Sequence, residues 1–223
     1  MTGYYAERLS GRRLQRCYEL ASPRVRQYLD AEIRHVVSRL RSSDVVLELG
    51  CGYGRVAFRL AEVARRVVGI DTADESLALA RELAAPGMPC AFSQMDATDL
   101  GLAVDTFDVV VCVQNGVCAF GVEPESLLRE ALRVTRPGGV LLFSTYADRF
   151  WPHRLAWFRT QAAAGLVGPI DDEASGNGVI VCADGFRAGR LTPGDWTRLC
   201  SKIGLDPRIT EVDGSSLFCE VTK

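Results

Sequence analysis

A glycine-rich run is the first place where this sequence could do chemistry. Val46–Gly54 reads VLELGCGYG, an apolar stretch that leads into Gly50, Gly52 and Gly54 around Cys51. Glycine allows positive φ and lets backbone approach a ligand closely. Glu48, at the end of the apolar stretch, predicts an acceptor for an ammonium group. A tight turn without a ligand is the alternative, because glycine-rich turns alone are weak signals.

Two acidic positions further along could complete a binding site. Asp71 and Thr72 end the segment VVGIDT, about 20 residues after the turn, where an acid binds ribose hydroxyls in nucleotide folds. Asp96 and Ala97 follow a later apolar segment and could meet an adenine edge. Each aspartate could instead cap a helix or a turn.

The spacing of the glycines bears on which ligand is bound. A dinucleotide site reads GxGxxG, with the last glycine packing helix on strand. Here the spacing is GxGxG, and Arg55 stands where that last glycine would be. A nicotinamide-dependent dehydrogenase is therefore the second interpretation rather than the first.

Alternating strands and helices must position these residues. The pattern predicts strands at 44–49, 66–70, 89–94, 107–113 and 140–146, and helices at 55–64, 73–84 and 123–135. A helix at 192–203 precedes strands at 208–212 and 215–221, joined by Asp213-Gly214, a hairpin signal. The alternation indicates an α/β fold with a doubly wound, mostly parallel sheet.

Two further regions flank this predicted sheet. Residues 1–42 predict two helices, the second opened by Ser22-Pro23. Residues 147–190 predict an irregular segment that covers the carboxyl ends of the strands. We therefore expect a helical lid at 1–42 and one domain at 43–223 that includes the covering segment.

The ordered motifs resemble those of the class I S-adenosylmethionine-dependent methyltransferases. ELGCGYGR is similar to the first motif, VVGIDTA to the ribose motif and QMDATDL to the adenine motif. FDVVVCVQNGVCAF resembles the fourth-strand motif, and RVTRPGGVLLFSTY the turn into strand five. The resemblance implies a Rossmann-like seven-stranded sheet in the order 3-2-1-4-5-7-6, with strand 7 antiparallel.

The resemblance also implies roles for individual residues. S-adenosylmethionine would be the cofactor and S-adenosylhomocysteine the product. Gly50 and Gly52 would contact its methionine part, and Glu48 its amino group. Asp71 would take the ribose hydroxyls, and Asp96 with Ala97 the adenine. Gln114 and Asn115 would close the site after strand four.

The end of strand four favours a small-molecule methyl acceptor. Gln114-Asn115-Gly116-Val117 departs from the Asn/Asp-Pro-Pro-Tyr motif of enzymes that methylate nucleic-acid bases or glutamine amides. Candidate acceptor contacts are Tyr4, Tyr5, Tyr146 and Trp151, all of which could instead be packing residues. His153 is the candidate general base, because histidine titrates near neutral pH. A cofactor-binding module without catalysis remains a third interpretation.

Composition and charge narrow the setting. The net charge is −2, with a local excess of +5 in residues 1–42, so no global field favours nucleic acid. No apolar run reaches the roughly 20 residues of a membrane span, and the chain starts without a signal-peptide pattern, so we expect a cytoplasmic protein.

The eight cysteines form no CxxC pair, which argues against a metal site. Cys112 and Cys118 flank strand four and could bind a soft metalloid, although packing is the simpler reading. The oligomeric state is left open.

Overall fold

A computed structural model describes residues 3–223, so Met1 and Thr2 of the expected helical lid lie outside it. Strands and helices alternate from Val45 onward. The strands are β1 Val45–Leu49, β2 Arg66–Asp71, β3 Cys90–Gln94, β4 Phe107–Cys112, β5 Thr135–Tyr146, β6 Ile180–Val181, β7 Arg187–Ala188, β8 Arg208–Val212 and β9 Ser216–Thr222.

The helices lie before, between and after these strands. They are α1 Tyr4–Arg8, α2 Gly11–Glu19, α3 Pro23–Val37, α4 Arg55–Ala61, α5 Asp74–Leu83, α6 Gly116–Ala119, α7 Pro124–Val134, α8 Trp151–Ala163 and α9 Pro193–Lys202. None of those in residues 3–223 is long and apolar enough to cross a membrane.

The central sheet has seven strands in the order β3-β2-β1-β4-β5-β9-β8. The first five are parallel to one another, and β9 runs antiparallel between β5 and β8. Counted within this sheet, the order is the predicted 3-2-1-4-5-7-6 with an antiparallel seventh strand. The predicted fold class is therefore confirmed.

The core lies on both faces of this sheet. All six residues of β4 are buried, as its continuous apolar run requires of a central parallel strand. Alternate residues feed two clusters, so that Val110 and Cys112 pack on one face while Val109 and Val111 pack on the other. The carboxyl ends of β1, β2 and β4 therefore share one rigid edge of the molecule.

Three predicted elements differ in the structure. The first 42 residues hold three helices, because Gly11 adopts a φ of 53° and breaks the first predicted helix. Strand β5 begins at Thr135 instead of Val140, with a bulge in its pairing to Phe107 and Val109, so Pro137-Gly138-Gly139 lies inside the strand.

The covering segment is the largest correction. The expected irregular stretch contains the 13-residue helix α8 and the small β6–β7 hairpin. The buried face of α8 consists of Arg154, Trp157, Phe158 and Gln161, spaced as a helix requires. Two of those four residues are polar, so an apolar stripe could not be read from the sequence.

Candidate functional site

A pocket with about 1170 Å³ of empty space, open solvent included, lies at the carboxyl ends of β1, β2 and β4. Its wall contains most of the residues predicted to hold a cofactor. These are Glu48, Gly50, Cys51, Gly52, Asp71, Thr72, Asp96, Ala97 and Gln114. This is the edge at which doubly wound sheets bind ligands, because the loops there diverge around a crevice.

The glycine turn shapes the floor of the pocket. Gly50, Gly52 and Gly54 have φ values of 70°, 52° and 85°, which L side chains rarely adopt. A Cβ on Gly50 would lie 2.4 Å from the Phe120 ring, and one on Gly52 would lie 2.9 Å from Leu14. Gly54 caps α4 beside Phe58 and does not line the pocket. The backbone thus comes close to the pocket only because side chains are absent.

Asp71 braces this turn as well as facing the pocket. Its Oδ2 accepts a 2.8 Å hydrogen bond from the Gly52 N–H, and its Oδ1 a 2.9 Å bond from the Ala73 N–H. Burial raises the pKa of Asp71 above its ordinary value, while these bonds oppose the shift. Asp71 therefore caps the turn, and the same side chain lines the pocket.

Glu48 is a buried carboxyl group without a full set of partners. The residue is 3% exposed, and its Oε2 has no hydrogen-bond partner among residues 3–223. Burial raises the pKa of Glu48 to about 8, although the charge of Arg55 acts in the opposite direction. A buried carboxyl group in this state is suited to receive a cationic group from a ligand.

Arg55 is a pocket residue that the motif analysis missed. Its guanidinium lies 4.7 Å from the centre of the Tyr18 ring, while its Nε and Nη2 are buried without a partner in the described residues. In the sequence it stood out only as a departure from the dinucleotide glycine pattern. The replacement of that glycine by Arg55 was the available sequence signal, because it places a positive charge next to the glycine turn.

Two residues just after β4 have left-handed backbone, Gln114 at φ 56° and Asn115 at φ 64°. Gln114 accepts a 3.0 Å hydrogen bond from the Tyr18 hydroxyl and leaves its buried Nε2 without a partner in residues 3–223. Asn115 does not line the pocket; its Nδ2 donates to the Gly189 carbonyl at 3.0 Å. Such strained residues often occur at functional sites.

A buried glutamate behind this strand end supports it. Glu32 of α3 is fully buried and accepts a 3.0 Å hydrogen bond from the Gln114 N–H, which also donates to Ser144 at 2.9 Å. Burial raises the pKa of Glu32 to about 7, and the hydrogen bond from the Gln114 N–H opposes the shift. Its role is to position Gln114.

The far end of the pocket holds the predicted adenine residues. Asp96 Oδ1 accepts hydrogen bonds from the Thr98 N–H at 2.8 Å and the Thr98 hydroxyl at 2.7 Å, which lower the pKa of Asp96. Ala97, Met95 and Phe120 add apolar surface nearby in the wall. This end can therefore surround a flat apolar ring and offer one fixed carboxylate.

The N-terminal helices form the roof of the pocket. Tyr5, Leu9, Leu14 and Tyr18 all line it. The helices are tied to α5 by a 2.7 Å hydrogen bond from Ser10 to Glu75 and a 2.9 Å bond from the Gly11 N–H to the Ser76 hydroxyl. Tyr5 was a predicted acceptor contact. Tyr18 was not predicted, although its hydroxyl donates a hydrogen bond to Gln114.

The other predicted acceptor contacts lie outside this pocket. Tyr4 donates a hydrogen bond to Asp184 and packs on Phe186, so it ties α1 to the covering segment. Tyr146 and Trp151 line a second cavity beneath that segment. His153 is exposed on α8, with its ring 5.6 Å from that of Phe150, and it lines neither cavity. The geometry therefore gives His153 no role at the pocket.

The two cysteines beside β4 are poor candidates for binding a metalloid. Burial raises the pKa of Cys118 to about 11 and that of Cys112 further above its ordinary value. Thiols in this state stay protonated at neutral pH, whereas a soft ligand requires the thiolate. Within residues 3–223 no group of three His, Cys, Asp or Glu side chains could hold a metal ion.

Comparisons with known proteins give the class of this site. Residues 46–139 match the family described as "Methyltransferase domain". A ubiquinone biosynthesis O-methyltransferase of Rhizobium etli is 31% identical over 101 residues, which are 45% of this chain and 40% of that protein. An arsenite methyltransferase of Aquipseudomonas alcaligenes is 38% identical over 117 residues, 47% of this chain and 33% of that protein. The matches thus span less than half the length of these relatives.

The fold has a solved counterpart over most of its length. A SAM-dependent methyltransferase of Methanosarcina mazei superimposes with a TM-score of 0.63 at 19% identity, covering 85% of this chain and 96% of that one. Residues 46–139 thus match a methyltransferase domain, in a chain whose sheet order is that of the class I S-adenosylmethionine-dependent methyltransferases. The cofactor of that family is S-adenosylmethionine, with S-adenosylhomocysteine as its product.

Proposed function

We propose that this protein transfers the methyl group of S-adenosylmethionine to a small-molecule acceptor. The observation that carries the proposal is the presence of Glu48 and Arg55 in one pocket wall, each with buried polar atoms that have no partner in residues 3–223. Unpaired polar groups in such a place are costly unless a ligand supplies their partners. An amino acid group, with one ammonium and one carboxylate, would satisfy both.

The remaining residues of the pocket fit the rest of the cofactor. Glu48 would hold the ammonium group, and Arg55 with the Gln114 amide would hold the carboxylate. Asp71 keeps acceptor capacity for ribose hydroxyls after its two backbone bonds. Asp96 and the apolar wall of Ala97, Met95 and Phe120 would hold the adenine.

The chemistry divides between cofactor and protein. The sulfonium of the bound cofactor supplies an already activated methyl group. The protein aligns the acceptor and excludes water, and alignment alone can supply roughly 7–11 kcal/mol of the barrier. Gln114 and its strained strand end are held by Glu32 and Ser144, which suits them to fix this geometry. A general base is needed only when the acceptor retains its proton at working pH.

Residues 1–42 serve in this proposal as the lid of the site. Tyr5, Leu9 and Tyr18 close the pocket from above, and the hydrogen bonds to Glu75 and Ser76 fasten the lid to α5. A lid of this kind keeps water from the reacting atoms and completes the acceptor site. Residues 147–190 contribute no side chain to the pocket wall, but they contact the lid through Asp184 and Tyr4 and the turn after β4 through Gly189 and Asn115.

A small acceptor is favoured by the enclosure of the pocket. The roof is made of aromatic and aliphatic side chains, and the net charge is −2, so neither feature favours a polyanion. The names of two relatives, a ubiquinone biosynthesis O-methyltransferase and an arsenite methyltransferase, likewise point to small acceptors.

Calorimetry with three ligands tests the proposal. S-adenosylmethionine and S-adenosylhomocysteine should bind with one site each, and NADH should not bind. A screen of small acceptors, followed by detection of S-adenosylhomocysteine, then tests for turnover. Binding of NADH without adenosyl binding would overturn the proposed cofactor. Adenosyl binding with no turnover on any acceptor would support the non-catalytic interpretation instead.

A further inference from the structure

A second cavity lies beneath the covering segment and contains two arginines. Its wall is formed by Tyr146, Ala147, Asp148, Trp151, Arg154, Asn177, Gly178 and Arg190. Tyr146 ends strand β5, and Trp151 and Arg154 lie on α8. The cavity is therefore at the same edge of the sheet as the cofactor pocket.

Arg154 is a buried cation without an acidic partner. The residue is 0% exposed, and among residues 3–223 no carboxylate forms an ion pair with it. Its Nη1 donates to the Gly178 carbonyl at 2.8 Å, and its Nη2 donates to the Ala188 and Gly189 carbonyls at 2.9 and 3.2 Å. Its Nε is buried and has no partner in that part of the chain.

The second arginine is also incompletely paired. Arg190 has a side chain that is 12% exposed, and its Nη2 forms an ion pair with Asp148, whose side chain is 79% exposed. Its Nη1 is buried without a partner in residues 3–223. The cavity wall therefore holds two guanidinium groups and one solvent-screened carboxylate, and each guanidinium has one buried nitrogen without a partner in residues 3–223.

A buried charge of this kind has a large desolvation cost. An arginine cannot lose its proton to avoid the cost, and carbonyl dipoles or aromatic faces only partly offset it. The Tyr146 ring lies 4.3 Å from the Arg154 guanidinium and provides such a face. An anion that accepts from Arg154 Nε and Arg190 Nη1 would offset the remaining cost.

The cavity is linked to the end of β4 through one carbonyl. The Gly189 oxygen accepts from Arg154 and also, at 3.0 Å, from Asn115 Nδ2. Asn115 follows Gln114, which lines the cofactor pocket. Arg154 is therefore connected, through the Gly189 carbonyl and Asn115, to the turn that contributes Gln114 to the cofactor pocket.

We infer that this cavity binds an oxyanion group, a carboxylate or a phosphate, of the methyl acceptor through Arg154 Nε and Arg190 Nη1. Assignment of the anion to the acceptor rests on the proposed function, whereas anion binding itself does not. Planar guanidinium groups suit oxyanions, because their N–H donors match the acceptor oxygens.

Thermal unfolding of the full chain with simple anions tests the site. Sodium benzoate and sodium phosphate are titrated against sodium chloride at equal ionic strength. At least one of the two should raise the Tm saturably, since a ligand that binds only the folded state stabilises it. The responding salt identifies the oxyanion as a carboxylate or a phosphate. No saturable rise with either salt would overturn the inference.

Three variants decide which residues bind the anion. R190Q should weaken the response about tenfold or more, because it removes a charged donor. D148N should increase the rise in Tm, because it removes the Asp148 carboxylate that competes with the added anion for Arg190. R159Q is the matched control on α8: Arg159 forms an exposed ion pair with Asp172, and its loss should leave the response unchanged. An unchanged response in R190Q would refute the site.

Binding of S-adenosylhomocysteine, measured on the same samples, separates this inference from the proposed function. If the wild type binds S-adenosylhomocysteine but no oxyanion, the cavity inference fails alone. If it binds an oxyanion but no S-adenosylhomocysteine, the proposed function fails and the anion site stands. R154K tests whether Arg154 has a purely structural role. In that case the variant would lose stability but keep the rise in Tm with the anion.

Discussion

Arg55 and Arg154 both have buried guanidinium nitrogens without a partner in residues 3–223, yet their surroundings differ. Arg55 acts on the pKa values of two buried carboxyl groups, Glu48 and Glu32, and so belongs to a pocket with both signs of charge. Within residues 3–223, the Arg154 guanidinium donates to carbonyl groups and lies over aromatic rings, with no carboxylate partner. The first arrangement suits a zwitterion, and the second suits an anion.

The two surroundings also differ in how the chain builds them. Arg55 follows directly on the glycine turn between β1 and α4, whereas Arg154 depends on residues up to 35 positions away in the covering segment. The turn that precedes Arg55 therefore positions it, whereas hydrogen bonds to more distant parts of the covering segment position Arg154. Variants should reveal this difference as a gradient of effects, largest at the glycine turn and smallest at the lid.

The largest expected effect is that of Gly50→Ala. A Cβ at this position would lie 2.4 Å from the Phe120 ring, and relief of the clash pushes that ring into the pocket. We expect cofactor binding to fall below detection in calorimetry. Gly121→Ala is the control, because φ there is 69° and nothing lies within 4 Å of the added atom. Equal losses in both variants would attribute the effect to backbone strain alone.

Asp71→Ala should weaken cofactor binding by about 1.5–3 kcal/mol, the scale of hydrogen bonds to a charged acceptor. It should also lower the Tm, because Gly52 and Ala73 lose their shared acceptor. Asp74→Ala, an exposed change in the first turn of α5, is the control. A lower Tm with unchanged affinity would reduce Asp71 to a brace of the turn.

Glu48 should make cofactor affinity depend on pH. With a pKa near 8, the group is mostly protonated at pH 6.5 and must ionise to receive an ammonium. Affinity should therefore rise about tenfold between pH 6.5 and 8.5, with proton release that shows as a buffer-dependent binding enthalpy. Glu48→Gln should remove the rise, while the exposed Glu62→Gln should keep it. A flat wild-type profile would contradict this role.

The same raised pKa has the opposite effect on the protein without cofactor. A carboxyl group whose folded pKa lies above its unfolded value stabilises the fold at low pH, and that contribution is lost as pH rises through the folded value. Glu32 and Glu48, at about 7 and about 8, should together lower the free energy of unfolding between about pH 5 and 8. As pH rises, cofactor affinity should therefore increase while the free energy of unfolding of the cofactor-free protein decreases.

The smallest expected effect is that of Ser76→Ala at the lid. The Gly11 N–H would lose its only acceptor in the described residues, at a cost of about 1 kcal/mol. Cofactor dissociation in stopped flow should accelerate a few-fold. Arg12→Gln removes only exposed contacts, the ion pair with Glu82 and the hydrogen bond to Gln15, and should change nothing measurable. A loss of all binding in Ser76→Ala would mean that the roof is core and not a lid.

The strand-end half of the site could be predicted from sequence because backbone constraints mark it. Gly50 and Gly52 must be glycine at their φ values, and Asp71 must end β2 to reach the turn. Helix α8 was hidden because Arg154 and Gln161 occupy its buried face. The position of His153 was equally unreadable, because it depends on which face of an unrecognised helix meets the core.

The hydrogen bond from Tyr4 to Asp184 joins residues 180 positions apart, and Trp157 donates to the Cys17 carbonyl across 140. During synthesis, α1 and α2 therefore leave the ribosome long before their packing partners exist. Contacts between distant residues form late, since loop closure precedes any gain from them. We expect the amide protons of α2 to gain protection last on refolding, after those of β1 and β4, although α2 is made first.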